Sequence, residues 1–147
     1  MSFQALFYPR AVAVYGSVSP GKLGHVLITH LVKWGFPKVY AVNPKGLGLD
    51  KAPGWKKIGD IPEAVDLAVI AAPAAIVKDI LIECGEKGVK AAVIISSGFS
   101  EAGNAQGEAE IKKVAQKYGI RFIGPNCAGM INTYSNLAPT LQAYPPK

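Results

Sequence analysis

The sequence predicts an α/β fold built on a parallel sheet, and three observations carry that expectation. Short apolar runs recur at residues 12–15, 39–42, 67–71, 91–95 and 121–123. Apart from Arg121 they are apolar throughout rather than alternating, as strands covered on both faces are. Between them, apolar residues recur at helical spacing, at Leu23, Leu27, Ile28, Leu31 and Val32, then Ile76, Val77, Ile80, Leu81 and Cys84, then Ile111, Val114, Ala115 and Tyr118. Strands that alternate with helices need right-handed crossovers, so the sheet is doubly wound. The expectation is a Rossmann-like, three-layered domain with five strands in the order 3-2-1-4-5.

The elements follow in chain order. Residues 3–9 form a short aromatic segment expected to pack on the sheet without joining it. The first strand stops at Gly16, and a loop of Ser17, Val18, Ser19, Pro20, Gly21 and Lys22 leads to a helix that carries Gly24 in its first turn. Gly35 ends that helix. The second strand runs into Asn43, Pro44 and Lys45, and a connection rich in Gly, Pro and Lys continues to about residue 57. Residues 61–65 are expected to make one helical turn. The third strand is closed by Ala72 and Pro73; the helix after it begins near Ala74 and ends near Gly85 or Gly88. The fourth strand leads to Ser96, Ser97 and Gly98, and the fifth, after a helix ended by Gly119, leads to Asn126 and Cys127. Residues 1–127 read as the ligand-binding domain. Residues 128–147 show no strong periodicity, finish in Tyr144, Pro145, Pro146 and Lys147, and read as an extension or linker toward a further domain.

Composition excludes several classes. A chain of 147 residues, half of them hydrophobic, can bury a full core without staples. Two cysteines, Cys84 and Cys127, give neither a disulfide framework nor a zinc pattern, and His25 and His30 lack ligand spacing with them. No apolar stretch approaches the ~18 residues of a membrane span, and no signal peptide is evident, so a soluble cytoplasmic protein is expected. The net charge of +6 suits an anionic ligand, but it is scattered, without the basic-aromatic array of a nucleic-acid binder.

A strand, a glycine loop and a helix place backbone amides and the positive end of a helix dipole before an anion. The loop is not the dinucleotide fingerprint G-x-G-x-x-G, because Val18 stands where the second glycine belongs. It resembles a Walker A loop from Gly16 to Lys22, but Leu23 occupies the place of the metal-binding hydroxyl. What remains is a longer glycine loop with Ser17 and Ser19 as hydroxyl donors and Lys22 as a cation, or a tight turn that holds nothing. At the end of the second strand an NAD enzyme carries an acid for the ribose 2′-OH. Asn43 and Lys45 suit a phosphorylated ribose instead, which both NADP and coenzyme A (CoA) offer; alone, Lys45 could equally be a solvated loop lysine.

Five motifs in register, Ala11 to Ser17, Val42 to Lys45, Asp66 to Ala74, Ile95 to Glu101 and Ile123 to Cys127, resemble one family over essentially the whole chain. They are similar to the N-terminal CoA-binding domain of NDP-forming acyl-CoA synthetases, the ADP-forming acetyl-CoA synthetases among them. The succinyl-CoA synthetase alpha subunit is a more distant relative. The resemblance implies that Ser17 to Gly21 hold the CoA diphosphate, Lys45 meets the 3′-phosphate, and Ala72, Pro73 and Ala74 line the nucleotide's path. It implies that Ser96, Ser97 and Gly98 touch the pantetheine arm and that Asn126 and Cys127 lie near the thiol. It also implies an oligomer, with a second domain or subunit carrying the phosphohistidine and ATP-grasp functions.

The chain departs from the family in three ways. Its glycine loop is longer than in the succinyl enzyme, its Ser96, Ser97 and Gly98 replace Thr-Glu-Gly, and His25 and His30 match no phosphohistidine motif. No catalytic residue is expected here. The rival readings are an NADP-binding oxidoreductase or redox-sensing module, and a stand-alone regulatory CoA-binding protein.

Overall fold

A computed structural model describes residues 3–142, so Tyr144 to Lys147 of the expected linker lie outside the described residues. The strands β1 (Val12–Tyr15), β2 (Val39–Val42), β3 (Gly54–Trp55), β4 (Leu67–Ile70), β5 (Ala91–Ile94) and β6 (Arg121–Ile123) form one parallel sheet in the order β3-β2-β1-β4-β5-β6. The helices are α1 (Gln4–Phe7), α2 (Leu23–Lys33), α3 (Ala74–Lys87) and α4 (Ala105–Tyr118).

The doubly wound parallel sheet is as expected, but the strand count is six rather than five. The extra strand, β3, lies inside the Gly/Pro/Lys-rich connection and pairs with Ala41 and Val42 at the sheet edge. Two residues carry no periodicity, so no pattern announced it. The run from residue 67 is therefore fourth in the chain, and it lies against β1 on the side away from β2. The turn expected at 61–65 is a 3-10 turn at Ile58–Asp60 instead; Ile61, which precedes Pro62, is extended with ψ 123°. A proline disfavours the helical region for the residue before it.

Side chains alternate between two buried faces. Val12, Val14, Leu67, Val69 and Val93 pack with Leu27, Ile28 and Leu31 of α2. Ala13, Tyr15, Ile70 and Ile94 pack with Val77, Ile80 and Leu81 of α3 and with Ile111 and Ala115 of α4. On that second face Ala13, Ala68 and Ala92 stand in register across β1, β4 and β5, all fully buried. Three methyl groups in a row leave room for helices to approach the sheet. Gly85 belongs to the same packing: a Cβ there would fall inside the ring of Tyr118, so it lies within α3 rather than ending it.

Residues 128–142 fold back on the α2 face. Bridges pair Gly129 with Thr140 and Asn132 with Leu137, and Leu137 and Ala138 are completely buried. The Thr140 carbonyl lies 2.6 Å from Nδ1 of His30, which must carry the proton, since a carbonyl only accepts.

At the opposite edge of the sheet from the strand ends that bear glycine loops, Asp66 clamps the approach to β1. Its carboxylate accepts from Nε and Nη2 of Arg10 at 2.9 and 2.8 Å, and from the Arg10 backbone amide at 2.8 Å. The Arg10 side chain is chiefly what holds the Asp66 carboxyl below the usual carboxylate range. A carboxylate with a depressed folded pKa contributes stability above its unfolded pKa and loses it as pH falls. Asp66→Asn should therefore lower the melting temperature by a constant amount above about pH 5. The gap should close progressively below about pH 4, the ordinary Asp value. Paired thermal melts from pH 2 to 8 check this, and a gap that persists at pH 2 would contradict it.

Candidate functional site

Because Tyr15 pairs with both Val42 and Ile70, β1, β2 and β4 end level and their loops start at one height. Those loops enclose a cleft of about 590 Å3 at the carboxyl edge, beside the place where the sheet reverses between β1 and β4. Ligands of open α/β sheets sit at that reversal.

The first wall is Gly16, Ser17, Val18 and Ser19. Helix α2 begins just behind it with no side-chain cap, so acceptors for its first amides must come from the backbone around it or from elsewhere. The loop wraps the helix start: the Ser17 carbonyl accepts from the amide of His25 at 3.0 Å, and the Lys22 carbonyl from Val26 at 3.1 Å. Gly24 makes this possible. A Cβ on it would lie 2.5 Å from the Ser17 carbonyl oxygen and 2.8 Å from the Gly16 carbonyl carbon. Gly21 differs: its φ is +83°, and a Cβ there would meet nothing within 4 Å. Pro20, Gly21, Lys22 and Gly24 shape the loop without lining the cleft.

The second wall is Val42, Asn43, Pro44, Lys45 and Leu47, with Lys56 beside them. Both ends of the Asn43 side-chain amide are engaged by the backbone of Leu47. Its Nδ2 donates to the Leu47 carbonyl at 2.7 Å and its Oδ1 accepts from the Leu47 amide at 3.0 Å. Asn43 therefore holds the turn that presents Lys45 and Leu47, both exposed.

The third wall is Ala71, Ala72 and Pro73, continued by Ile76, Ile80 and Glu83. These last three are i, i+4 and i+7 on α3 and share one face. Ile76 is 44% exposed and borders the cleft. Tyr15 closes the inner end, 5% exposed. Burial, foremost among its causes, pushes the Tyr15 hydroxyl far above its ordinary pKa, and it donates to Glu83 Oε2 at 3.3 Å.

The remaining expected site residues lie at the same sheet edge, outside these walls. Ser96 is buried, and its hydroxyl clasps the third wall: it donates to the Ala72 carbonyl at 2.5 Å and accepts from the Ala72 amide at 3.1 Å. Ala74 starts α3, and its methyl lies 3.1 Å from where a Gly98 Cβ would be. Ser97 is exposed. The amides of Phe99 and Gly98 donate to the Glu101 carboxylate and hold its pKa below the ordinary value. The Asn126 amide donates to the Ser96 carbonyl at 2.9 Å. Cys127 is half-buried, its thiol donating to the Ile94 carbonyl at 3.3 Å. Missed from the sequence were Tyr15, Val42, Leu47, Lys56, Ala71, Ile76, Ile80 and Glu83. The i, i+4, i+7 spacing beside Pro73 was the one signal for three of them.

A family model described as "CoA binding domain" matches residues 10–133. The chain belongs to that family. It is 44% identical over 142 residues to an acetate–CoA ligase (ADP-forming) of Methanocaldococcus jannaschii, covering 95% of this chain and 20% of that protein. It is 46% identical over 137 residues to the alpha subunit of acetate–CoA ligase (ADP-forming) II of Pyrococcus furiosus, covering 91% and 30%. The fold matches the apo form of a dinucleotide-forming acetyl-coenzyme A synthetase 1 of Candidatus Korarchaeum cryptofilum at TM-score 0.90 and 40% identity, over 95% of this chain and 31% of that one. The chain thus spans about a fifth to a third of these relatives and matches their N-terminal region. Among the described residues no helix is long and apolar enough to cross a membrane.

The two loop glycines should respond differently to substitution. Gly24→Ala pushes a methyl into backbone and should cost about 1–3 kcal/mol, with no relief from any other side chain. Gly21→Ala pays only for its backbone angle, about 1–2 kcal/mol, and Gly21→Asn should recover much of that, since Asn tolerates positive φ. Denaturant titration of the three variants checks this; equal losses at Gly21→Ala and Gly21→Asn would contradict it.

Proposed function

We propose that this domain binds CoA in the cleft, as the CoA-holding part of an ADP-forming acyl-CoA ligase. What supports this reading most is the combination of charges in one cleft. The glycine loop, with the start of α2 just behind it, forms one wall, and Lys45 and Lys56 stand on the wall beside it. CoA carries two separated anionic groups, a diphosphate and a ribose 3′-phosphate. The diphosphate lies against the amides of the loop, where the helix dipole favours negative charge. The 3′-phosphate meets the lysines. The pantetheine arm leaves along the carboxyl edge toward Ser97, Gly98 and Asn126.

The chemistry of such a ligase, which interconverts acyl-CoA, phosphate and NDP with acid, CoA and NTP through a phosphohistidine, is carried by partner domains or subunits. His30, with Nδ1 committed to the Thr140 carbonyl on the α2 face, stands apart from the cleft walls. The part of this domain is to fix the nucleotide so that the thiol end of the arm reaches a neighbouring site. Fixing a ligand by its non-reacting end places binding energy where it can orient the reacting end.

NADP also carries a ribose phosphate, so the lysine pair leaves it as the second reading. Calorimetry with CoA, dephospho-CoA, NADP and NAD separates the two. CoA should bind most tightly and NAD least. Lys45→Ala should weaken CoA by about 1–3 kcal/mol, the scale of a charge-assisted contact, and barely change dephospho-CoA. NAD binding as tightly as CoA, or dephospho-CoA losing nothing, would overturn the proposal.

A further inference from the structure

Among the described residues that line the cleft, Glu83 is the one acid, set in a site whose other charged groups, Lys45 and Lys56, are cations. A carboxylate is a poor neighbour for phosphates, so its place needs another explanation. The geometry points to a base reader: we propose that Glu83 selects the ligand's purine by accepting a hydrogen bond from an exocyclic 6-amino group, so that the cleft takes adenine and rejects 6-oxopurines. This rests on the cleft being a CoA site and specifies how one end of it discriminates.

Three observations carry the inference. The first is the shape of the slot. Leu47 on one wall and Ile76 on another are 50% and 44% exposed, large apolar side chains flanking the same opening, while Ile80 behind them is 6% exposed. An apolar slot of this kind suits a flat ring, and burying such side chains against a ligand is favourable. The second is the place of Glu83. It follows Ile76 and Ile80 on one face of α3, half-buried, and lines the cleft beside Tyr15, with which it shares a hydrogen bond.

The third is that the carboxylate is held as an acceptor. Tyr15 is buried and keeps its proton, which it donates to Glu83 Oε2 at 3.3 Å. The Cys84 thiol, whose pKa burial pushes up to about 12, lies 4.0 Å from the Tyr15 oxygen and is a weak donor to it. Donors thus run in one direction, thiol to phenol to carboxylate, and end on Glu83. Oε1 takes no hydrogen bond from Tyr15 and remains for a donor on the ligand. Adenine offers an amine there. Guanine and hypoxanthine put O6, a second acceptor, at that place and carry their nearest donor on N1, so a base seated as adenine is leaves both acceptors unpaired and must shift in the slot to bring N1–H to the carboxylate. Tyr15 is a positioning residue: it never touches the base but orients the group that does.

The probes are adenosine 3′,5′-bisphosphate, which is the nucleotide end of CoA, its inosine counterpart, and its 2′-deoxy counterpart, titrated beside CoA by calorimetry. The wild-type chain should bind the adenosine form roughly ten- to a hundredfold more tightly than the inosine form, as expected for a hydrogen bond to a charged acceptor. Glu83→Ala should lose that preference and bind both weakly. Glu83→Gln keeps the shape, and its amide can turn to donate to O6, so it should narrow the preference while keeping most of the adenosine affinity. Tyr15→Phe should also narrow it, and melting curves show whether each variant stays folded. If the wild-type chain binds adenosine and inosine forms equally while binding CoA, the role of Glu83 is overturned and the CoA site stands. If the 2′-deoxy form is the one that loses affinity, and loses it only when Glu83 is present, the carboxylate reads the ribose and the proposal is wrong. If CoA itself does not bind, the CoA reading and this assignment fall together.

Discussion

The approach of Gly24 to the Ser17 carbonyl, where a Cβ would come within 2.5 Å of the oxygen, sets the geometry of the rest of the site. It lets α2 start directly against the backbone that leaves β1. The Ser17 carbonyl can then accept from His25, and the loop from Gly16 to Ser19 is folded across the helix start as one wall. A helix that began even one side-chain diameter further away would leave those amides facing water instead of a cleft. The requirement is steric, and it falls on Gly24 first and then on Gly16, where a Cβ would lie 3.3 Å from the Gly24 Cα.

The cleft also depends on the sheet. Val12 to Tyr15 stay in register with β2 on one side and β4 on the other, so three loops diverge from one level. The helices that cover the two faces diverge there too, α2 on one and α3 on the other, and the gap between their starting points is the opening. Buried hydroxyls and amides then fix the walls. Ser96 ties the end of β5 to the loop after β4, and Asn43 closes the turn after β2 on itself. Two residues expected to face a ligand thus hold cleft-lining neighbours in place.

The periodic parts of the fold were legible because burial writes itself into pattern. Runs such as Val12 to Tyr15 are apolar at every position because both sides of the sheet are covered. β3 was invisible because Gly54 and Trp55 are too few to show a period, and their pairing is decided by the neighbouring strand. The return of residues 128–142 to the α2 face was equally silent, since Leu137 and Ala138 are buried by contacts distant in sequence rather than by a repeating spacing. In the site, the glycine loop and Lys45 could be read from chemistry at known strand ends. Leu47, Lys56 and Glu83 could not, because only the folded chain brings the 43–47 turn, the residue after β3 and the far end of α3 to one opening. Ile76 shares the helical spacing of the buried Val77 and Ile80 yet borders the cleft, because a helix can turn an apolar residue toward a cleft as readily as toward a core.

Backbone amide mapping by NMR, with CoA added stepwise to the labelled chain, tests the central claim most directly. Shifts should concentrate at Gly16 to Ser19, at Lys45 and Leu47, and along Ile76 to Glu83, with little change at the opposite sheet edge around Arg10, Asp66 and Lys90. Saturable shifts confined to that opposite edge, with the glycine loop unmoved, would contradict a CoA site at the carboxyl ends of the strands.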